Sequence, residues 1–199
     1  MTYSPKTFRL PALKGLSEKQ MEVHLALYEG YVKQVNVIME KLGAVRDRKL
    51  ELDPYIVAEL RRRFAFEFDG MRNHEYYFNH LVDGPGTLSE GSGLKKAIDQ
   101  EWEGGFDTWF LRFKSLATTR GIGWAILYYD NKTNRFLNAW IDEQHLGHLT
   151  GLSPILALDM WEHSYLFDYT PAEKKKYVEA FFENLNWQTC EENYTNARK

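Results

Sequence analysis

The 199-residue chain reads as an α+β protein: two long helices, two shorter ones, a set of short strands, then a closing helix. Two observations carry that reading. Apolar residues recur at alternating spacings of four and three through two long stretches before residue 83, which is the period of a helix with one buried stripe. Asp83-Gly84-Pro85-Gly86 then breaks the pattern, and short β-rich runs separated by turn residues follow. The break divides the chain into an N-terminal helical hairpin domain, 1–86, and a C-terminal α/β domain, 87–199.

Ser17 is the expected N-cap of the first helix, with Gln20 three residues on completing a capping-box pattern. His24, Tyr28, Tyr31, Val35, Ile38 and Leu42 form its stripe, and Gly43 is the expected stop. Residues 46–54 are charged and read as a connector. The second helix is expected from Pro54 to about Val82, with Val57, Leu60, Phe64, Phe68, Met71, His74, Phe78 and Leu81 on one face. Two long helices joined by a short loop form an antiparallel pair. Short helices are expected near Leu94–Trp102 and Phe106–Thr118. Gly121–Tyr129, a turn at Asn131-Lys132 and Arg135–Ile141 read as a β-hairpin, and Pro154–Asp159 as a third short strand. Pro171 opens a final helix through about Asn184.

The composition narrows the function classes. Hydrophobic residues make up 44% of the chain and aromatics 15%, enough for a sizeable core. A net charge of -3 argues against a nucleic-acid partner. No apolar run approaches the ~20 residues that span a membrane, and the N-terminus lacks a secretory core. The single cysteine, Cys190, leaves no internal disulfide and no cysteine-based metal site. A cytoplasmic protein is expected.

The chemistry concentrates in Ile155-Leu156-Ala157-Leu158-Asp159-Met160-Trp161-Glu162-His163-Ser164-Tyr165. An apolar strand ends on an Asp, and a His follows four residues later. His24 and His74 each lie on the apolar stripe of one helix of the hairpin, so antiparallel packing turns the two imidazoles toward each other. Three imidazoles and one carboxylate leave room for a solvent ligand. That set suits iron or manganese better than the closed sites of structural zinc.

These residues also carry a family resemblance. Met21-Glu22-Val23-His24, Asn73-His74, Gly123-Trp124-Ala125, Asp159-Met160-Trp161-Glu162-His163-Ser164-Tyr165 and Asn186-Trp187 resemble, in order, segments of the iron/manganese superoxide dismutases. The resemblance implies a three-stranded antiparallel sheet in the C-terminal domain, with the metal between it and the hairpin. It implies one iron or manganese ion per chain, held by His24, His74, Asp159 and His163, and superoxide as substrate. It implies a gating tyrosine, for which Tyr31 before Val32 is the match, and a side chain that hydrogen-bonds the solvent ligand.

In one branch of the family that side chain is a glutamine just before Asn-His, a place filled here by Gly70. The donor is therefore expected from Gln144-His145, with His145 preferred and Gln144 second. His148 and His80 read as structural. Tyr28, or Leu27 if the one-residue gap lies elsewhere, stands where the family has a histidine, and Trp124 and Trp161 are expected to keep the site dry. Lys174 is the candidate for steering the anion. Glu162 and Tyr165 are expected at a two-fold contact, in a homodimer or homotetramer. The family usually spaces the tyrosine eight residues from the first histidine; here the spacing is seven. Seven residues make almost two turns at ~3.6 residues per turn, so a regular helix puts both on one face without a π-bulge. The alternative function is a metal-free structural subunit on the same fold.

Overall fold

A computed structural model describes residues 2–199. The elements run α1 (Glu18–Arg46), α2 (Pro54–Asn79), α3 (Gly93–Glu101), α4 (Gly105–Ala117), β1 (Gly123–Asp130), β2 (Arg135–Asp142), β3 (Ser153–Asp159), α5 (Lys174–Asn184) and α6 (Trp187–Ala197). Short 3-10 turns occupy Glu162–Ser164 and Pro171–Glu173.

Ser17 caps α1 as expected, its side chain accepting from the Gln20 N–H at 3.1 Å. Gln20 does not close a capping box. It is fully buried, its Nε2 donates to the His163 carbonyl at 2.6 Å and its Oε1 accepts from the Phe167 N–H at 3.0 Å. Ser17 N–H turns instead to Asp168 Oδ2 at 2.7 Å. The Gln20 amide is itself fully buried, and two long-range backbone partners satisfy it where the local cap would satisfy only one of its atoms. The helix also runs through Gly43 to Arg46, where Asp47 N–H bonds back to the Gly43 carbonyl. Between His24 and Tyr31 the helix is α throughout, with no π turn.

α2 starts at Pro54 behind an Asp53 cap, and its last turn loosens after Asn79 into the turn at Asp83 and Gly84, both at positive φ. The three strands form one antiparallel sheet ordered β2-β1-β3, with β1 in the centre. The β1–β3 register sets Trp124 opposite Asp159. This brings the Gly-Trp-Ala segment beside the end of the strand that carries the carboxylate.

The core joins both parts of the chain. Met71 and Phe78 of α2, Leu81 of the turn after it, Ile126 and Leu127 of β1, and Leu156 and Leu158 of β3 are at most 1% exposed and belong to one cluster. α6 was not foreseen. Asn186 caps it through a bond from the Gln188 N–H at 3.1 Å, and Asn186 N–H also bonds the His80 carbonyl at 2.7 Å. No helix among the described residues is long and apolar enough to cross a membrane.

Candidate metal centre

Four side chains from four separate segments meet between the hairpin and the sheet. His24 comes from α1, His74 from α2, Asp159 from the last position of β3 and His163 from the turn that follows. Their ligating atoms lie within 4.8 Å of one another. Asp159 Oδ2 is the common point: His24 Nε2 lies at 3.1 Å, His163 Nε2 at 3.2 Å and His74 Nε2 at 3.5 Å.

The hydrogen bonds around the cluster test whether it fits a metal. His74 Nδ1 donates to the Gly70 carbonyl, one turn back, at 2.6 Å. That bond fixes the proton on Nδ1, so Nε2 turns a lone pair toward Asp159 Oδ2 and is buried without a hydrogen-bond partner. Two lone pairs facing each other in a dry pocket are unfavourable unless a cation lies between them. Burial also holds His24 below the ordinary histidine range and His74 down to about 3, so both imidazoles are neutral, as metal ligands must be. Burial works to raise the Asp159 carboxyl, but the charge and hydrogen bonds of His163 and His24 overcome it and hold the group ionised. For ligands about 2.1 Å from a shared ion, neighbouring donors fall roughly 3.0–3.6 Å apart, the range of the three separations at Asp159. The residues fit a metal ion.

The C-terminal ligands are held by bonds from elsewhere in the chain. The Asp159 carbonyl accepts from Tyr177 Oη at 2.8 Å and Ser164 Oγ at 3.1 Å, while its Oδ1 accepts from the Trp161 N–H at 2.8 Å. The His163 carbonyl accepts from Gln20.

Beside the cluster runs a polar chain. Trp124 Nε1 donates to Gln144 Oε1 at 2.9 Å, and Gln144 Nε2 donates to the Tyr31 hydroxyl at 3.0 Å. Burial raises the Tyr31 hydroxyl far above its usual range, with Asp159 adding to the effect, so it stays protonated. The Tyr31 ring lies 5.1 Å from that of His74 and packs flat over Gly70, where a Cβ would come within 2.7 Å of it. The absent side chain at Gly70 is thus the space that Tyr31 uses.

Of the two candidate donors, Gln144 is the one bonded into the chain to Tyr31, and it is fully buried there. His145, the next residue, turns away and packs edge-on to Phe66 at 5.6 Å. Successive side chains of an extended or looped segment diverge, so only one of the pair reaches the site.

Other expected residues are placed as follows. Trp124 meets His74 edge-on at 5.1 Å, and Trp161 stacks on His163 at 5.5 Å. Tyr28 covers His74 with its ring at 6.5 Å, but its hydroxyl points away, accepting from the Lys6 N–H at 2.9 Å and donating to Glu75. Lys174 Nζ donates to the Gly121 carbonyl at 2.8 Å and keeps its charge. Glu162 is exposed, next to His163. Tyr165 is 1% exposed within the protomer and its ring packs on Tyr177 at 5.2 Å.

Several roles at the site were not read from the sequence. Gln20 and Tyr177 hold the His163 and Asp159 carbonyls and Asn73 the Gln144 carbonyl, and nothing in the local sequence of Gln20 marks a bond 143 positions away. Phe66 packs against both Tyr31 (6.1 Å) and Trp161 (6.3 Å), with the Arg63 guanidinium 3.6 Å above its ring. Its spacing of eight from His74 was the available signal.

Helical hairpin, three-stranded sheet and a buried three-histidine, one-aspartate cluster between them define a mononuclear metalloprotein of the α+β class. Residues 90–193 match the family model for the C-terminal domain of iron/manganese superoxide dismutases. The chain is 36% identical over 191 residues to a superoxide dismutase [Fe] of Aquifex aeolicus, covering 94% of this chain and 88% of that one. It is also 36% identical over 171 residues to a superoxide dismutase [Mn] of Haloarcula marismortui, covering 86% and 81%. The chain belongs to the iron/manganese superoxide dismutase family.

Proposed function

We propose that the protein dismutates superoxide, turning two superoxide anions and two protons into O2 and H2O2, with one iron or manganese ion per chain. The observation that carries the reading is the convergence of three imidazole nitrogens on one buried carboxylate oxygen, with His74 Nε2 lacking any partner. An iron or manganese ion held there supplies one-electron oxidation and reduction in alternation. His24, His74, Asp159 and His163 hold it. The Trp124, Tyr77 and Phe78 rings beside the histidines exclude water.

Gln144 uses one amide hydrogen on Tyr31 and keeps the other for an oxygen in the site. The Tyr31 hydroxyl oxygen accepts from that amide and its own proton is left to give, so it is the proposed relay for protons entering from outside. The charge that attracts the anion is assigned to Arg63, which sits over Phe66 and acts electrostatically on Tyr31. Its ion pair with Glu67 at 2.8 Å moderates the field. Arg63→Gln is expected to lower kcat/KM about threefold at low salt, with the difference fading near 1 M salt as screening shortens to ~3 Å. Equal kcat/KM at low salt would move the steering role elsewhere. Two-fold pairing through exposed Glu162 is part of the proposal; a monomer mass by sedimentation at micromolar protein would remove it.

The deciding experiment is metal content by mass spectrometry on protein from iron- and manganese-grown cells, with dismutation measured on the same samples. About one ion per chain, with activity tracking occupancy, is the expected result and names the metal. A folded, fully loaded protein without activity would overturn the proposal. One that takes up neither ion would favour a structural subunit.

A further inference from the structure

Gln144 sits in a tight loop that its own sequence does not favour. Asp142 and Leu146 close it by mutual backbone bonds at 2.9 and 3.1 Å, and Glu143 adopts φ +52°, a left-handed conformation that costs a non-glycine residue free energy. Such a loop holds its shape only if its surroundings fix it. Trp161 Nε1 donates to the Glu143 carbonyl at 3.0 Å. The Gln144 carbonyl receives two donors, Asn73 Nδ2 at 3.0 Å and His148 Nε2 at 3.1 Å, which fill both its lone pairs. On its other side the His148 ring is fixed from the sheet: the Tyr128 hydroxyl of β1 lies 2.6 Å from Nδ1.

These distances select one tautomer. Tyr128 O–H donates to Nδ1, so the ring proton is on Nε2 and is given to the Gln144 carbonyl. Asn73 Nδ2, 3.3 Å from Nε2, then serves the nearer carbonyl rather than the ring. Burial raises the Tyr128 hydroxyl well above its usual range, which keeps it a donor. The result is a directed chain, Tyr128 to His148 to the Gln144 backbone, running from the rigid centre of the sheet to the residue whose amide contacts Tyr31.

We propose that His148 is a positioning residue: through Tyr128 and the Gln144 carbonyl it sets how closely the Gln144 amide approaches Tyr31 and the metal-binding cluster. The proposal rests on the reading of this cluster as a superoxide-dismutating centre. A histidine bonded at both ring nitrogens is stiffer than any aliphatic side chain of its size. Groups that orient the partners of a metal centre typically change activity or affinity ~10–100-fold when removed. His148 acts one step further out, so the lower end applies.

The test uses metal-loaded wild type, His148→Leu, His148→Gln and Tyr128→Phe. His148→Leu removes both bonds; it is expected to lower kcat about tenfold at unchanged metal occupancy. It should also shift the oxidised-to-reduced ratio of the metal at fixed potential by about tenfold, ~59 mV for one electron. Tyr128→Phe deletes one hydroxyl and is expected to lower kcat about threefold. His148→Gln restores a donor to the Gln144 carbonyl and should return kcat to within about threefold of wild type. Wild-type kcat and potential in both His148→Leu and Tyr128→Phe would overturn the proposal, as would a fall in melting temperature with no change in potential. Should His148→Leu fail to fold, Tyr128→Phe decides alone: reduced kcat with a shifted potential supports the proposal, and wild-type values overturn it. Potential and visible spectrum need no turnover, so they judge the positioning even if wild type proves inactive; that result would instead remove the proposed function.

Discussion

The two halves of the site are held in different ways. His24 and His74 project from the middle of long helices, and the His74 ring is oriented by its own helix, through the Gly70 carbonyl four residues back. Asp159 sits at the last pair of the β1–β3 ladder, opposite Trp124, and His163 in a 3-10 turn beyond it. Their backbones are fixed by Tyr177, Ser164 and Gln20, residues up to 143 positions distant. The helical half is specified by local sequence, the other half by tertiary contact. A site assembled this way should respond to remote substitutions on one side only.

The largest effect expected is at the shared ligand. Asp159→Asn removes the only charge that draws the three imidazoles together, and the protein should retain little metal. Activity should fall beyond the ~100-fold that losing an outer partner costs, read by metal analysis and dismutation on the same sample. Retained stoichiometric metal would show that the imidazoles suffice.

Gln20→Leu sharpens the contrast. It leaves the His163 carbonyl and the Phe167 N–H, both part-buried, without their side-chain partners, each below the ~1–3 kcal/mol of a fully buried group because solvent can reach them. Chemical denaturation should show a total loss of about 1–3 kcal/mol, together with weaker metal retention. A change within 0.5 kcal/mol of zero, roughly the range for surface substitutions, would mean that the turn at Glu162–Ser164 holds itself.

Gly70→Ala probes the helical half, where two effects oppose. Alanine gains about 1 kcal/mol over glycine in a helix interior. Its Cβ would meet the Tyr31 ring at 2.7 Å, so the ring must move away. Stability should change little while kcat falls, and unaltered kcat would show that Tyr31 can shift without consequence.

The smallest effect is a pH dependence at His80. Burial lowers this imidazole to about 3 from an unfolded value near 6.5, and its Nε2 accepts from the Ala157 N–H at 3.2 Å. Above pH ~6.5 it is neutral folded or unfolded; between 6.5 and 3 only the unfolded chain takes the proton. Stability therefore drops as pH falls through that window, by at most ~1.4 kcal/mol per unit. His80→Gln should remove this contribution, narrowing the wild-type advantage by about 2 kcal/mol between pH 7 and 5. A gap that stays constant would mean that His80 does not titrate on unfolding.

The same division explains what could be read from the sequence. Helical stripes, the Ser17 cap, the turn at Asp83-Gly84 and the three strands follow from periodicity and local chemistry, and the structure has them. The four cluster residues were legible because each falls at a marked place: a polar residue on an apolar stripe, or the end of an apolar strand. Gln20 read as a local cap because its real partners, His163 and Phe167, lie in a distant segment. His80 read as an ordinary helix end because its partner is a strand N–H 77 positions away. The choice between Gln144 and His145 turned on the loop shape set by Glu143, which no period encodes. α6 escaped because the expected closing helix stopped at about Asn184, and Asn186, its cap, was read only as part of the Asn186-Trp187 resemblance.

The order of the four segments along the chain also sets when the site can exist. The helical hairpin makes local contacts and can fold soon after it is synthesised, presenting His24 and His74. About 85 residues separate His74 from Asp159, which at 5–20 residues per second takes roughly 4–17 s. During that interval a passing metal ion meets two imidazoles and no carboxylate. Tyr177, which fixes the Asp159 carbonyl, arrives later still. On the proposed reading, a complete four-ligand site exists only once the chain is nearly finished, so the ion would be chosen from the metal pool met at that moment.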